Sequence, residues 1–322
     1  MPNNVNYAER WEPELLEIFM QESLISPFMT TDVKWTGART FHFTQMSTSG
    51  FKSHNRKGGW NRGSYAQTDV PFTVEHDRDI EFLVDKADVD ESNATASIQN
   101  VAKTFTRTQS VPEKNALFFS KCATRAKALE GYHTTTKLNT WTKTNVYSKL
   151  KSMIGTGKLR RYKAQGALIG YIRSELMDLL EQSSDLTRKV EMTQIAEGGM
   201  AIETRYTSID GVPIFEVIDD ECFYDKFNFD PEDGGFEPVE SVEADEDAGT
   251  EAVEGSKHIN FLVASPLTTK FVPKISSIYY FNPGAHTEGD GYLYQERELS
   301  DVFTFPNGKD NKIDSLYVDV DA

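Results

Sequence analysis

Residues 47–68 read STSGFKSHNRKGGWNRGSYAQT and lie between two runs with the look of strands. Upstream are Lys34-Trp35-Thr36 and Arg39-Thr40-Phe41-His42-Phe43. Downstream are Val70-Pro71-Phe72-Thr73-Val74, then Asp77-Arg78-Asp79. The quoted stretch has four glycines, few aliphatic residues and no helical period. It therefore reads as the distal part of an extended β arm spanning residues 34–79, not as a core element. Gly58-Gly59 and Gly63 mark turns or close backbone approaches. The arm carries seven Lys or Arg against four Asp or Glu, a local excess of +3 in a chain of net charge −16. An arm this long has little to bury against its own domain, so a second chain is expected to pack on it. Its sign suits an acidic surface on a sister copy.

After the arm, Ile80, Phe82 and Val84 alternate with Glu81, Leu83 and Asp85, which predicts a strand. Asp85 to Glu91 are acidic but lack the order and glycine of an EF-hand loop, and the first turn of a helix explains the acids. Residues 93–130 form the strongest helical pattern. Ile98, Val101, Ala102 and Phe105 share a face, Pro112 breaks or kinks the run, and Ala116, Phe119, Ala123, Ala126 and Leu129 line its continuation. Gly131 ends it. A further helix is expected over 142–154, followed by a basic, glycine-punctuated segment, GTGKLRRYKAQ. Residues 167–172 read as a central strand. Ser174 reads as the cap of a helix over 175–181, and this order indicates a compact α/β unit. Strands return over 190–218, with Pro213 suited to an edge or a strand start. Residues 230–255 hold eleven Asp or Glu and no Lys or Arg, which reads as a solvated loop or disordered insert, with a face for a basic partner surface such as a neighbour's arm as the alternative. Residues 258–265, 270–281, 292–305 and 313–319 read as closing strands, with Asn307-Gly308 as a turn.

Upstream of the arm, Leu15, Leu16, Phe19, Met20 and Leu24 predict a short amphipathic helix that starts near Pro13 and stops before Pro27. The 322 residues suffice for two or three domains, or for one large domain with insertions. The opening residues carry no signal-peptide pattern, and no apolar run approaches the length of a membrane span. Cys122 and Cys222 do not make a disulfide framework and are expected to be buried as small apolar groups.

No ordered catalytic or cofactor signature is present. The six histidines are scattered without zinc spacing. GTGK at 155–158 lacks the spacing of a phosphate-binding loop, and no GxSxG occurs. Acids before Cys222 oppose a thiolate nucleophile. The chain is expected to be no enzyme, with no cofactor and no metal.

The ordered set of elements resembles the major capsid proteins of tailed bacteriophages with the HK97 fold. The STSGF and NRKGGW pieces resemble members from phages of Gram-positive hosts. EFLVDKADVDESN (81–93) resembles the lead into the family's spine helix. ALIGYIRSELMDLLEQ with IDGVPIFEV resembles its axial domain, and HINFLVASPLTTKFVPKI through YQERELSDVFTF resembles its closing strands. The resemblance implies an α+β fold divided into an N-terminal arm (1–33), an extended hairpin or E-loop (34–79), a peripheral domain (80–133 and 256–322, with the spine helix at about 93–130) and an axial domain (134–255, including the acidic insert 230–255). It implies a subunit that self-assembles through hexamers and pentamers into an icosahedral head holding double-stranded DNA without sequence-specific binding. Such a subunit is assembled in the bacterial cytoplasm with a separate scaffolding protein, a portal protein and, as a further partner class, a decoration protein. It places Lys52, Arg56, Lys57, Trp60 and Arg62 over a neighbouring subunit's peripheral domain. The competing readings are an encapsulin-like nanocompartment shell protein and a minor virion or soluble binding protein.

Overall fold

A computed structural model describes residues 23–31, 33, 35–54, 58, 60–86, 98–183, 191–195, 202–232, 234–242, 253–287, 289–307 and 312–322. The helix expected from near Pro13 to before Pro27 falls outside them except for positions 23–26, where a turn leads into a short 3-10 helix, Ser26–Phe28. So does most of the acidic run 85–91. In chain order the strands are β1 (Thr40–Thr48), β2 (Tyr65–Thr73), β3 (His76–Asp85), β4 (His133–Thr135), β5 (Ile169–Arg173), β6 (Glu191–Ile195), β7 (Ile202–Ile209), β8 (Val212–Val217), β9 (Phe227–Asn228), β10 (Glu237–Pro238), β11 (Ile259–Ala264), β12 (Thr269–Phe281), β13 (Gly291–Thr304) and β14 (Leu316–Val320). The α-helices are α1 (Ile98–Phe105), α2 (Val111–Lys127), α3 (Val146–Ile154), α4 (Leu159–Ala164) and α5 (Ser174–Glu181).

A seven-stranded mixed sheet, ordered β4-β14-β11-β5-β8-β7-β6, carries helices on both faces. Side chains on a strand alternate between faces, and the two hydrophobic clusters follow that alternation. Ile169 and Tyr171 of β5, Leu262 and Ala264 of β11, and Leu316 and Val318 of β14 pack with α2. Ile172, Phe261, Val263 and Tyr317 point the other way and pack with α3, α4 and α5. Runs that are apolar at nearly every position, such as INFLVA with only Asn260 polar, are the expected signature of strands covered on both faces. Gly170 fits this crowding, because a Cβ there would come 3.1 Å from Ile214 and 3.3 Å from Phe261. The sheet pairs β5 with β11 across about ninety residues of sequence and β11 with β14 across about fifty-five. Pro213 lies inside this sheet, not at its edge. It stands at the start of β8, one residue before β8 begins pairing with β5.

Helix α2 is the element on which the rest converges. Leu117, Phe118, Phe119, Cys122 and Ala123 are at most 1% exposed, each large one contributing about 1.5–3 kcal/mol by burial. Phe119 meets Tyr171 at 5.2 Å and Phe223 at 4.8 Å between ring centroids. Pro112 does not break the run. A π-helical stretch, Thr106–Ser110, joins α1 to α2 and puts Pro112 in the first turn of α2, where a missing N–H costs nothing. Ile25 and Phe28 of the N-terminal segment are buried on this same core. Phe28 lies 4.7 Å from Phe118, and Tyr171 Oη donates to the carbonyl of Leu24 at 2.7 Å.

A second sheet, β12-β13-β3, is antiparallel, with β13 in the middle. Its inner face buries Ile278, Tyr280 and Tyr294 against Ile98 and Ala102 of α1. Three local expectations change. The basic, glycine-punctuated segment after Ile154 contains a helical turn, α4, that its composition did not suggest. The helix of 142–154 starts only at Val146, with Asn145 Oδ1 accepting from the Thr142 amide at 2.9 Å. Ser174 does not cap α5; its hydroxyl donates to the carbonyl of Val217 at 3.1 Å, tying α5 to β8.

One polar network of the core is built around Asp319, whereas the Ser265 and Ser300 hydroxyls are buried without a hydrogen-bond partner among the described residues. Asp319 of β14 is fully buried. It accepts from Thr134, from Thr136 at 2.6 Å and from Asn260 at 3.0 Å, which fastens β4, β14 and β11 side by side. Burial pushes its carboxyl above the ordinary value, and the three donors oppose that shift.

Candidate intersubunit surface

The arm is a nine-rung antiparallel hairpin, registered from Thr40 opposite Thr73 to Thr48 opposite Tyr65. Its root is fixed to the body by aromatic packing. Phe41, 3% exposed, meets Phe303 edge-on at 5.0 Å and Phe72 at 5.5 Å, and Phe43 stacks on Phe305 at 4.1 Å. Val74, Val272 and Leu299 complete this cluster. An ion-pair bracket reinforces it. Asp77 binds Arg39 at 2.6 Å and takes two hydrogen bonds from Arg297, at 3.1 and 2.9 Å. The Arg297 guanidinium is the main reason the Asp77 carboxyl is held below its ordinary value.

Away from the root, the arm buries nothing of its own. Met46 is 62% exposed, Tyr65 77%, Trp60 95%, and Phe51 is fully exposed. The limbs stay joined past the last rung, with Ser49 N–H on Ser64 O at 2.8 Å and Ser64 N–H on Ser49 Oγ at 2.9 Å. Farther out, Asn61 Nδ2 donates to Ser53 O at 2.8 Å, and the limbs enclose an open hollow of about 800 Å3. Lys52, Trp60 and Arg62 are all exposed around this hollow, and the Lys52 ammonium reaches the carbonyl of Arg62 at 3.5 Å. The structure thus brings these three expected residues together. Arg56 and Lys57 lie outside the described residues.

An acidic surface lies beside the root. Asp77, Asp79, Glu81 and Asp85 occupy alternate positions along β3, so they share the outer face of the three-stranded sheet. Tyr279 and Leu83, 39% and 49% exposed, lie on the same face. The alternation of β3 was readable from sequence. That Asp79, Glu81 and Asp85 form an exposed row, with Asp77 held by Arg39 and Arg297 at its end, could be known only once β13 was placed beside them.

The root of the acidic insert is ordered as well. β9 and β10 pair, and Val242 and Val253 exchange two backbone hydrogen bonds of 2.9 Å at its neck. Arg78 holds it to the body, donating to the carbonyls of Phe229 and of Gly235 (2.9 Å for the latter) while its Nε lies 2.9 Å from Glu113. Residues 243–252 of the insert lie outside the described residues.

Both thiols are buried and free, and burial pushes both up. Among the described residues no group of three or more His, Cys, Asp or Glu is placed to hold a metal ion. Among them, too, no helix is long and apolar enough to cross a membrane.

A two-faced α/β sheet, a second sheet backed by a long helix, and a projecting hairpin rooted between them make an α+β fold of the HK97-like type found in phage capsid proteins. Solved structures share it over nearly the whole chain. The mature capsid of bacteriophage PhiM1 aligns with a TM-score of 0.58 at 12% identity, covering 100% of this chain and 91% of that one. The capsid of cyanophage P-SCSP1u aligns at 0.55 and 12% identity, covering 100% and 92%. A structure from Microbacterium phage Oxtober96 aligns at 0.57 and 9% identity, covering 94% and 91%. No family model matches the sequence, and no curated protein matches it.

Proposed function

We propose that this chain is the major capsid protein of a tailed bacteriophage, a subunit that associates into hexamers and pentamers and closes an icosahedral head around double-stranded DNA. The observation that carries this reading is the hairpin: its root is packed on Phe303 and Phe305, while its outer aromatic residues face solvent. Apolar side chains held out on a braced arm have a use only when another surface covers them. In this reading Lys52, Trp60 and Arg62, with Arg56 and Lys57 between them in sequence, lie over the next subunit. The acidic row on β3 is the surface of matching sign.

The fold supports this reading by its type, since the structures it resembles are phage capsids. The division into arm, hairpin, peripheral and axial parts belongs to the proposal, with one regrouping. β11 and β14 are assigned with β5 and β8, because they share one sheet and one pair of cores. The scaffolding, portal and decoration partners, assembly in the host cytoplasm and residence in the virion belong to the same proposal, which assigns the chain no catalysis.

Electron microscopy of the expressed protein tests it. Closed shells, formed alone or with the scaffolding protein supplied, are the expected result. Protein that stays monomeric at high concentration with scaffold present refutes the shell reading. Shells that enclose a protein cargo and never DNA would transfer it to a nanocompartment.

A further inference from the structure

The 44 residues from Gly131 to Ser174 contain nine Lys or Arg and no Asp or Glu, in a chain whose net charge is −16. They build β4, α3, α4 and β5, and their exposed cations lie on the α3–α4 side of the seven-stranded sheet. The opposite side holds α2 and, packed against it, the root of the acidic insert, through Phe223, Phe227, Phe229 and Phe236. Asp230, Glu232, Glu237 and Glu240 of that root are exposed. One sheet therefore separates a basic face from an acidic one. The two cannot meet within a subunit, because the sheet and its helices stand between them.

We propose that the α3–α4 face of one subunit docks the acidic insert root of the next copy, head to tail; this rests on the shell-subunit reading. A contact between two different surfaces of identical chains is heterologous, and repeated about an axis it closes into a ring. Copies that each carry −16 repel one another, so association needs a local surface of opposite sign, and the α3–α4 face supplies it. The face already selects carboxylates. Asp210, at the turn between β7 and β8, is held by Lys163 at 2.7 Å and Lys151 at 3.4 Å, and Lys158 lies 3.4 Å from Asp314. Lys143, Arg160 and Arg161 are exposed, and no ion pair among the described residues involves them. They are the cations left for a partner. A nucleic acid is the other polyanion such a face could meet. The paired carboxylates on the same face and the acidic surface present on every copy favour the second copy.

The test reverses each face separately. One variant carries Lys143→Glu, Arg160→Glu and Arg161→Glu; the other carries Asp230→Lys, Glu232→Lys and Glu237→Lys. Each is expected to fold, checked by circular dichroism, and to raise the concentration needed for assembly by about tenfold or more. Combining all six substitutions is expected to restore assembly. A Glu variant that assembles at the wild-type concentration, with the wild-type response to salt, overturns the interface while leaving the shell reading standing. Normal shells that retain less nucleic acid overturn it in favour of a nucleic-acid face. If the Glu variant does not fold, the Lys143→Gln, Arg160→Gln and Arg161→Gln variant reads the same threshold. If the wild type forms no shell, the shell reading fails by itself. Sedimentation of the two reversed variants mixed at low salt then decides the interface: association seen only in the mixture supports it, and its absence overturns it.

Discussion

Trp60 and Phe41 lie on one hairpin, and the structure assigns their loss to different processes. Trp60 is 95% exposed, so truncation to Ala removes almost no burial from the isolated subunit. The expected change in subunit stability is within about 0.5 kcal/mol, as for an ordinary surface site. Under a neighbouring copy the ring would bury about 150–250 Å2. At about 25 cal/mol per Å2 that is a gross gain of roughly 4–6 kcal/mol, before the costs of ordering. A net loss of about 2 kcal/mol, the usual threshold for a dominant interface residue, corresponds to roughly 30-fold in the association constant. Phe41 is 3% exposed, and Phe41→Ala should cost the subunit itself about 3–5 kcal/mol. Urea unfolding of the unassembled protein and light scattering of its assembly against concentration separate the two. Trp60→Ala should keep the wild-type urea midpoint and need about 30-fold more protein to assemble, whereas Phe41→Ala should lower the midpoint. Assembly of Trp60→Ala at the wild-type concentration, or a large fall in its urea midpoint, would refute the assignment of the arm's outer part to a neighbour.

Phe28→Ala should destabilise the subunit by about 3–5 kcal/mol in urea, because Phe28 is fully buried against Phe118 and Tyr171; a change below 1 kcal/mol would show that the N-terminal segment is not docked on its own core. Glu296 lies beneath the second sheet, where burial raises its carboxyl above the ordinary value although Tyr294 Oη donates to it at 2.7 Å. The folded state then holds the proton more tightly than the unfolded one. This contribution to stability is full below the unfolded value near 4.5 and is lost as pH rises through the folded value. Glu296→Gln should therefore gain on the wild type as pH rises from 4.5 upward, read as the difference in urea midpoint, and a difference that does not vary with pH would contradict it. Neither Cys122 nor Cys222 should react with an aromatic disulfide reagent in the native protein, and both should react once it is unfolded; rapid native labelling of either would contradict its burial.

What could be read from the sequence was local and periodic. The alternation of β3, the apolar stripe of α2 and the largely apolar runs of β11 and β14 each reflect a face that is covered or uncovered, and each was legible. The hairpin was legible for the opposite reason, since a stretch with nothing to bury stands out between strands. What stayed hidden depended on partners distant in the chain. The pairing of β5 with β11 joins residues about ninety apart, and no local pattern specifies it. Ser174 has the residue type of a cap, but the Val217 carbonyl lies within reach and takes its proton. Pro112 carries the signal of a helix break, which the π-helical stretch before it absorbs by shifting register. The basic segment 155–165 was visible as charge, yet its relation to the acidic insert emerges only when one sheet is seen to lie between them. At the candidate site, Lys52, Trp60 and Arg62 could be named from their place in the arm. The acidic row on β3 needed the sheet.

The position of β14 has a kinetic consequence. It lies between β4 and β11, whose residues precede it by roughly 180 and 55 positions. Until residues 316–320 arrive, two strand edges with unpaired N–H and C=O groups stay open, and Asp319 is missing from the network that joins Thr134, Thr136 and Asn260. Pairings over such separations form slowly, and open edges in concentrated protein pair with the wrong chain. The yield of correctly folded chains is thus expected to depend on a race between closure of this sheet and edge-to-edge aggregation. Slowing synthesis or lowering the temperature should favour closure.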